Sequence, residues 1–301
     1  MYYLNSEAFD MNDTKPVLDY VEIEITEFCN LNCRGCCDFS NLAKEKKFYE
    51  LDEFTADMTR LSDIFSGINK IRLMGGEPLL NPRLTDYVIT ARKIFPASDI
   101  RIVSNGLLIP KLGAETLSMI KENDCKFDIS NYPPTRKLFP EIKKTLESAG
   151  VEYDLGFPMN YFFRNILEKP SDDPKPAFRN CIFTHCHMLS HGRLSPCSYA
   201  HCIGRLNAEY GTSYPETDTV DIYSDITGEE IIKRFSSPHE FCKCCGSGII
   251  PFRWQGGVTA KAASPADWLI SDSFINTKAA PLIQSVLKRP ADMLRSFIQK
   301  K

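Results

Sequence analysis

Val21-Glu22-Ile23-Glu24-Ile25-Thr26-Glu27 is a short β-rich run that leads directly into Cys29-Asn30-Leu31-Asn32-Cys33-Arg34-Gly35-Cys36. The CxxxCxxC stretch is therefore expected as the loop at a strand's C-terminal end, which is where βα barrels carry their chemistry. Three thiolates this close in sequence can each take one corner of an iron–sulfur cube, whereas a fully protein-ligated cluster needs four. One iron is then left open. Two plainer readings use the same residues: a structural zinc site with Cys37 as fourth ligand, or a closed electron-transfer cluster. Adjacent Cys36 and Cys37 would be strained as co-ligands, and zinc sites favour CxxC pairs. Cys37 reads as a neighbour of the site.

Outward from this loop, short β-rich runs alternate with helical periodicities to about residue 160, an α/β pattern of βα units around a parallel sheet. Strands are expected at Val21–Glu27, Lys70–Met74, Ile100–Ser104, Lys126–Ser130 and Val151–Leu155. Leu51, Phe54, Met58, Leu61 and Phe65 mark one buried helix face, and Leu84, Tyr87, Val88, Ala91 and Ile94 another. The succession predicts a partial (βα)6 barrel. Cys125, alone in its strand, reads as packing. Prolines and charges from Glu168 to Pro176 interrupt the periodicity, giving a barrel over residues 1–167 and a Cys-rich module with C-terminal helices over residues 168–301. Within that module a hairpin is expected at Met188–Leu194, centred on a glycine turn, and Thr227 with Glu230 forms a capping box. The basic amphipathic stretch Leu282–Ile298, interrupted by Pro290, is expected to pack across the barrel's open edge, with contact to an anionic membrane or a partner as the alternative.

A chain of 301 residues with a net charge of −3 can bury a sizeable core and carries no nucleic-acid footprint. The N-terminus lacks a basic start and an apolar core of signal length, and no run of about 18 apolar residues occurs, so a cytoplasmic protein without an integral span is expected. Twelve cysteines in a reducing compartment point to metal binding or catalysis, not to a disulfide framework.

The second strand ends in Met74-Gly75-Gly76-Glu77-Pro78. With the cysteine triplet upstream, this GGEP stretch resembles the radical S-adenosylmethionine (SAM) superfamily in both order and position. The resemblance implies a [4Fe–4S] cluster on Cys29, Cys33 and Cys36, with SAM on the open iron through its amino and carboxylate groups. It also implies that Gly75, Gly76, Glu77 and Pro78 meet the SAM amino group; glycines permit close approach and a carboxylate accepts from an ammonium. By the same resemblance Ser104, Asn105 and Ser130, at the ends of the third and fourth strands, meet the ribose and carboxylate of SAM. Asp128 reads equally well as a buried capping residue. The residue before the third cysteine is usually aromatic in that superfamily and is Gly35 here, which leaves adenine to the backbone or to Phe39.

Cys181, Gly192 and Cys197 follow as Cys-x10-Gly-x4-Cys, and Cys242-Lys243-Cys244-Cys245 supplies a CxxC pair. The arrangement is similar to the auxiliary modules of many radical SAM enzymes, called twitch in the short form and SPASM in the longer one. It implies a second [4Fe–4S] cluster on Cys181, Cys197, Cys242 and Cys245, with Cys186, Cys202 and Cys244 as substitutes and a zinc ribbon as the non-iron alternative. All five histidines, His185, His187, His191, His201 and His239, lie in this module and read as ordinary side chains, as ligands or as proton acceptors; His191 and His201 flank Cys197 and are the first candidates for a functional role.

The resemblance implies reductive cleavage of SAM to a 5′-deoxyadenosyl radical and hydrogen abstraction from a small, carbohydrate-like substrate. An auxiliary cluster that accepts the second electron makes oxidation the natural outcome. The implied partners are that small molecule and a low-potential electron donor of flavodoxin or ferredoxin type. Peptide modification is the second enzymatic reading, set back by the roughly 20 residues that precede the first strand. A molybdopterin-type cyclase is set back by the ending Ile298-Gln299-Lys300-Lys301, which lacks paired glycines. A non-catalytic iron–sulfur or zinc scaffold is the reading from another class. Trp254 and Trp268 are expected over the substrate cavity or in the core.

Overall fold

The computed structural model of the chain describes residues 15–272; the amphipathic stretch at 282–298 lies outside them. The five expected strands form as β1 (Val17–Thr26), β2 (Gly67–Gly75), β3 (Asp99–Ser104), β4 (Cys125–Ile129) and β5 (Tyr153–Leu155). Between them run α1 (Leu51–Ile64), α2 (Leu84–Ile94), α3 (Ala114–Glu122) and α4 (Pro133–Ala149). Each helix covers the sheet with the face its spacing predicts: α1 buries Phe54, Met58 and Leu61, and α2 buries Leu84, Tyr87, Val88 and Ala91. Phe65, expected on the α1 face, is buried as the residue that closes that helix. Cys125 packs in this same core.

The rest of the chain forms β6 (Tyr161–Leu167), α5 (Lys175–Asn180), β7 (Met188–Ser190), β8 (Arg193–Ser195), α6 (Ser198–Tyr210), β9 (Val220–Asp221), α7 (Gly228–Phe235), β10 (Cys245–Arg253) and β11 (Leu269–Ile270). The first sheet runs β5-β4-β3-β2-β1-β7-β8-β9, and the second β10-β6-β11. The sixth parallel strand of the partial barrel is thus β7, which joins the far side of β1 at Glu22 and Ile23. The boundary expected after residue 167 cuts across this arrangement: β6 belongs to the second sheet, whereas β7 to β9 complete the first. The β7–β8 hairpin and the Thr227–Glu230 box, which opens α7, form where the local sequence predicts.

Alternate positions on the parallel strands face away from the helices, and there the sequence places charge. Asp128, on β4, is held by Arg101 at 2.7 Å and by Arg72 at 2.5 Å, so its role is ion pairing and not capping. Arg101 also reaches Asp99 and Asp154, and Arg72 reaches the Tyr20 hydroxyl. Charges this deeply buried persist only when paired. A second apolar core, containing Phe39, Met188, Tyr199, Ile203, Phe241 and Trp268, joins the barrel to the Cys-rich region. Among the described residues no helix is long and apolar enough to cross a membrane.

Candidate active site

The first cysteine loop leaves β1 and is braced by the end of β2. A Cβ on Gly76 would collide with the carbonyl oxygen of Phe28, and one on Gly75 with that of Thr26. The glycines therefore serve a close approach between two strand ends, sealed by Gly76 N–H to Thr26 O (2.6 Å) and Glu77 N–H to Phe28 O (3.0 Å). Glu77 is fully buried, and its carboxylate accepts from Leu79 N (3.0 Å), Ser104 Oγ (2.8 Å) and Asn105 N (2.8 Å). Burial pushes its pKa up to about 7, against the pull of those three donors. Glu77 thus latches the end of β2 to the end of β3, a role the motif alone did not predict.

The same latch gathers the residues expected around SAM. Asn105 Nδ2 donates to Asn30 Oδ1 at 2.8 Å and lies 3.7 Å from Cys29 Sγ. The Ser130 N–H donates to Ser104 O at 2.9 Å, which sets the β4 end beside the β3 end. Pro78 opens the short turn after Glu77.

Each thiol of the triplet has donors. Cys29 accepts from Leu31 N at 3.4 Å, and Cys33 accepts from Trp254 Nε1 at 3.3 Å. Cys36 is lowered to about 6, first by the Cys37 thiol, with the backbone N–H groups of Ser40 and Asp38 adding to it against burial. Cys37 accordingly supports Cys36. Burial pushes Cys29 up to about 12 and Cys33 higher still, so both are protonated as free thiols, and a metal that binds them must displace the protons. Among the described residues no three acidic, histidine or cysteine side chains converge on a single ion; a cube places its thiolates on separate irons. The Thr26 hydroxyl, fully buried beside the GGEP turn, has no partner. Soft thiols with N–H donors and an orphaned hydroxyl at the barrel mouth fit a three-cysteine cluster with an exogenous ligand.

Phe39 is removed from the adenine role. It is completely buried, with its ring 5.5 Å from Trp268 and 5.9 Å from Tyr199. Gly35 is explained by the segment after β10. At φ +66°, a Cβ there would meet Phe252 Cζ at 2.5 Å and Asp267 O at 2.8 Å, so Phe252 fills the space that a side chain before the third cysteine would need. The same segment reaches the loop through Arg34 N–H to Gln255 O (2.8 Å), Gly257 N–H to Leu31 O (2.9 Å), Val258 N–H to Asn32 O (2.9 Å) and Trp268 Nε1 to Cys36 O (2.8 Å). Of the two tryptophans expected over a cavity or in the core, Trp268 lies in the second core, and the indoles of both clamp the first cysteine loop. No local signal marks this strap, because its contacts span more than two hundred residues.

In the Cys-rich region, Cys181 and Cys242 oppose the ionisation of Cys197, Cys181 opposes that of Cys242, and all three oppose that of Cys245. Cys197 caps α6 and accepts from Ala200 N at 3.5 Å, yet burial outweighs that donor and raises its pKa. Cys186 is also close enough to feel Cys181 and Cys197, and it faces Glu22 and Arg72. Cys202 packs against Met188 in the second core, and Cys244 is buried there too. The two histidines that flank Cys197 both have side-chain partners. His201 is fully enclosed with Ser190 and Ser195 on its two ring nitrogens, and burial lowers it to about 3; His191 bonds Glu53 on α1.

Between the two cysteine groups lies a cavity of about 150 Å³. Gly35 and Cys37 line it from the first loop, and Phe183 and Tyr199 from the second region. Tyr132, Phe162 and Asn165 are among the other residues of its wall. The lining is apolar and largely aromatic, with Asn165 and Cys37 among its polar residues. Asn165 is itself buried, and its Oδ1 has no partner.

Residues 23–130 match the family described as the Radical SAM superfamily. The GTP 3′,8-cyclase of Alkaliphilus oremlandii is 33% identical over 145 residues, covering 46% of this chain and 44% of the cyclase. Molybdenum cofactor biosynthesis protein 1 of Bos taurus is 36% identical over 107 residues, covering 34% of this chain and 17% of that protein. The chain thus spans less than half the length of these curated relatives. Among solved structures, BtrN in complex with AdoMet and 2-DOIA aligns over 75% of this chain and 91% of its own, at 18% identity and a TM-score of 0.45.

Proposed function

From a radical SAM barrel over residues 23–130 we propose that this chain is an oxidoreductase for a small, carbohydrate-like substrate. When bound, the [4Fe–4S] cluster and SAM supply one-electron cleavage to methionine and a 5′-deoxyadenosyl radical, which takes hydrogen from an unactivated C–H bond. Cys29, Cys33 and Cys36 would hold that cluster, and Gly75, Gly76, Glu77 and Pro78 would meet the SAM amino group. Ser104, Asn105 and Ser130 would meet its ribose and carboxylate. Cys181, Cys197, Cys242 and Cys245 would hold a second cluster that receives the substrate's second electron. A flavodoxin- or ferredoxin-type donor in the cytoplasm would supply the first.

One observation supports this reading above the others: the cavity lies between Cys37 of the first loop and Tyr199 of the second region. With both clusters bound as proposed, a molecule held there would have a hydrogen-abstracting centre on one side and an electron acceptor on the other. Phe162 and Phe183 exclude water and take the C–H face of a ring, while Asn165, Tyr132 and Tyr199 orient its hydroxyls. Each hydroxyl left without a partner costs about 1–3 kcal/mol, so the lining selects a substrate with few of them. That apolar lining also supports the second reading, a peptide side chain as substrate.

The test is anaerobic reconstitution followed by dithionite and SAM. Wild type should release 5′-deoxyadenosine and hold about eight irons per chain, about four per cluster. Cys33→Ala should release none, and Cys242→Ala with Cys245→Ala should hold about four irons. A wild type that cleaves no SAM refutes the enzyme. An iron count near four in wild type, unchanged by the double variant, removes the auxiliary cluster. Deuterium transfer from candidate cyclic alcohols into 5′-deoxyadenosine identifies the substrate.

A further inference from the structure

The two tryptophans of the chain both donate to the first cysteine loop, but to different atoms. Trp254 Nε1 lies 3.3 Å from Cys33 Sγ, whereas Trp268 Nε1 lies 2.8 Å from the Cys36 carbonyl oxygen. Cys29 and Cys36 draw backbone N–H donors from their own loop. Cys33 draws its donor from 221 residues away. The indole is held in place: its ring stacks on Tyr132 with centroids 5.5 Å apart and planes 19° apart, and its backbone N–H donates to Asn160 O at 2.9 Å. Cys33 is buried, which limits competition from water for the sulfur.

We propose that Trp254 sets the reduction potential of the first cluster through its N–H···S bond to Cys33. This rests on the reading that Cys29, Cys33 and Cys36 hold a [4Fe–4S] cluster. An indole N–H only donates, and it bonds a thiolate more strongly than a thiol. Reduction adds one electron to the cluster, and part of the added negative charge falls on the ligating sulfurs. A fixed N–H dipole aimed at one of those sulfurs stabilises the reduced state more than the oxidised one, and so raises the potential. SAM-cleaving clusters must be reduced by a donor of limited power, and Trp254 brings this one within reach. Trp254 is a positioning residue: it touches a ligand of the cluster, not the reacting atoms.

The experiment is a redox titration of the anaerobically reconstituted full chain, following the EPR signal of the reduced cluster that SAM perturbs. Trp254→Phe keeps the aromatic stack and removes the donor. At the wild-type midpoint its reduced-to-oxidised ratio should fall about tenfold, which is about 59 mV for a one-electron couple. Trp268→Phe removes a donor from the same loop but not from a sulfur, and should leave the ratio within about twofold. Benzothienylalanine at position 254, which keeps the indole shape with sulfur in place of N–H, decides the matter should Trp254→Phe fail to hold a cluster; it too should show the tenfold fall. A ratio within about twofold of wild type in the donor-free variant overturns the proposal. Equal shifts in the Trp254 and Trp268 variants also overturn it, because they mark general loosening of the loop. A wild type with no SAM-perturbed signal overturns the cluster reading and the proposal with it.

Discussion

Replacing Gly35 by alanine tests whether the strap from Phe252 to Trp268 is what shapes the first cysteine loop. The backbone at Gly35 has φ +66°, a left-handed conformation that costs a residue with a Cβ about 1–2 kcal/mol. The new methyl would also stand 2.5 Å from Phe252 Cζ and 2.8 Å from the Asp267 carbonyl oxygen. The ring can turn away, but the carbonyl belongs to a turn fixed by the Asp267 N–H bond to Ser264 O. Overpacking of this kind costs about 1–3 kcal/mol more. The total of about 2–5 kcal/mol corresponds to a fall of about 4–10 °C in unfolding temperature, at about 2 °C per kcal/mol for a chain of this size. The assay is scanning fluorimetry of reconstituted protein, with iron counted in parallel. Gly67→Ala is the control: nothing lies within 4 Å of the methyl it would add, and it should shift unfolding by no more than about 1 °C. Phe252→Leu in the Gly35→Ala background should recover part of the loss, a coupling of about 0.5–3 kcal/mol. A Gly35→Ala protein that melts within about 1 °C of wild type and keeps all its iron would refute the strap's part in shaping this loop.

Three further outcomes are expected. His201 and His187, lowered by burial to about 3 and about 4, bind fewer protons folded than unfolded below about pH 6.5. Their contribution to stability is complete above that pH and is lost as the pH falls towards 4, by several kcal/mol in all; urea unfolding of His187→Gln/His201→Gln should show a shallower acid limb, and an unchanged limb refutes the assignment. Arg205 places its fork on both oxygens of buried Glu24 at 2.8 Å each, so Arg205→Met strands a charge and should cost about 3–5 kcal/mol, with partial recovery on adding Glu24→Gln; no recovery means the loss has another source. Cys202, in contact with Met188 in the second core, should be replaceable by alanine without loss of iron, whereas Cys245→Ala should lose about half; equal loss in both places Cys202 among the ligands.

What was legible in the sequence is what neighbouring residues decide among themselves. The β1 run and the Cys29–Cys36 loop form where their own residues dictate, as do the α1 and α2 faces and the Thr227–Glu230 box. Periodicity and capping act over a turn or two of chain, and a cysteine spacing is itself a local quantity. The sheet that β6 joins was not legible, because a seven-residue strand does not encode its partner; only the packing of β10 and β11 against it decides that it joins the second sheet. The same holds at the site. The triplet and the GGEP turn carry the resemblance to the radical SAM superfamily, but the Glu77 latch depends on the β3 end, and the choice of Gly35 depends on Phe252. Trp254 meets Cys33 only because β10 carries the chain from Cys245 back to the barrel mouth. Local sequence determined which groups could hold a cluster; tertiary structure decided which donors, rings and strap surround it, because those contacts join segments whose sequences carry no record of one another.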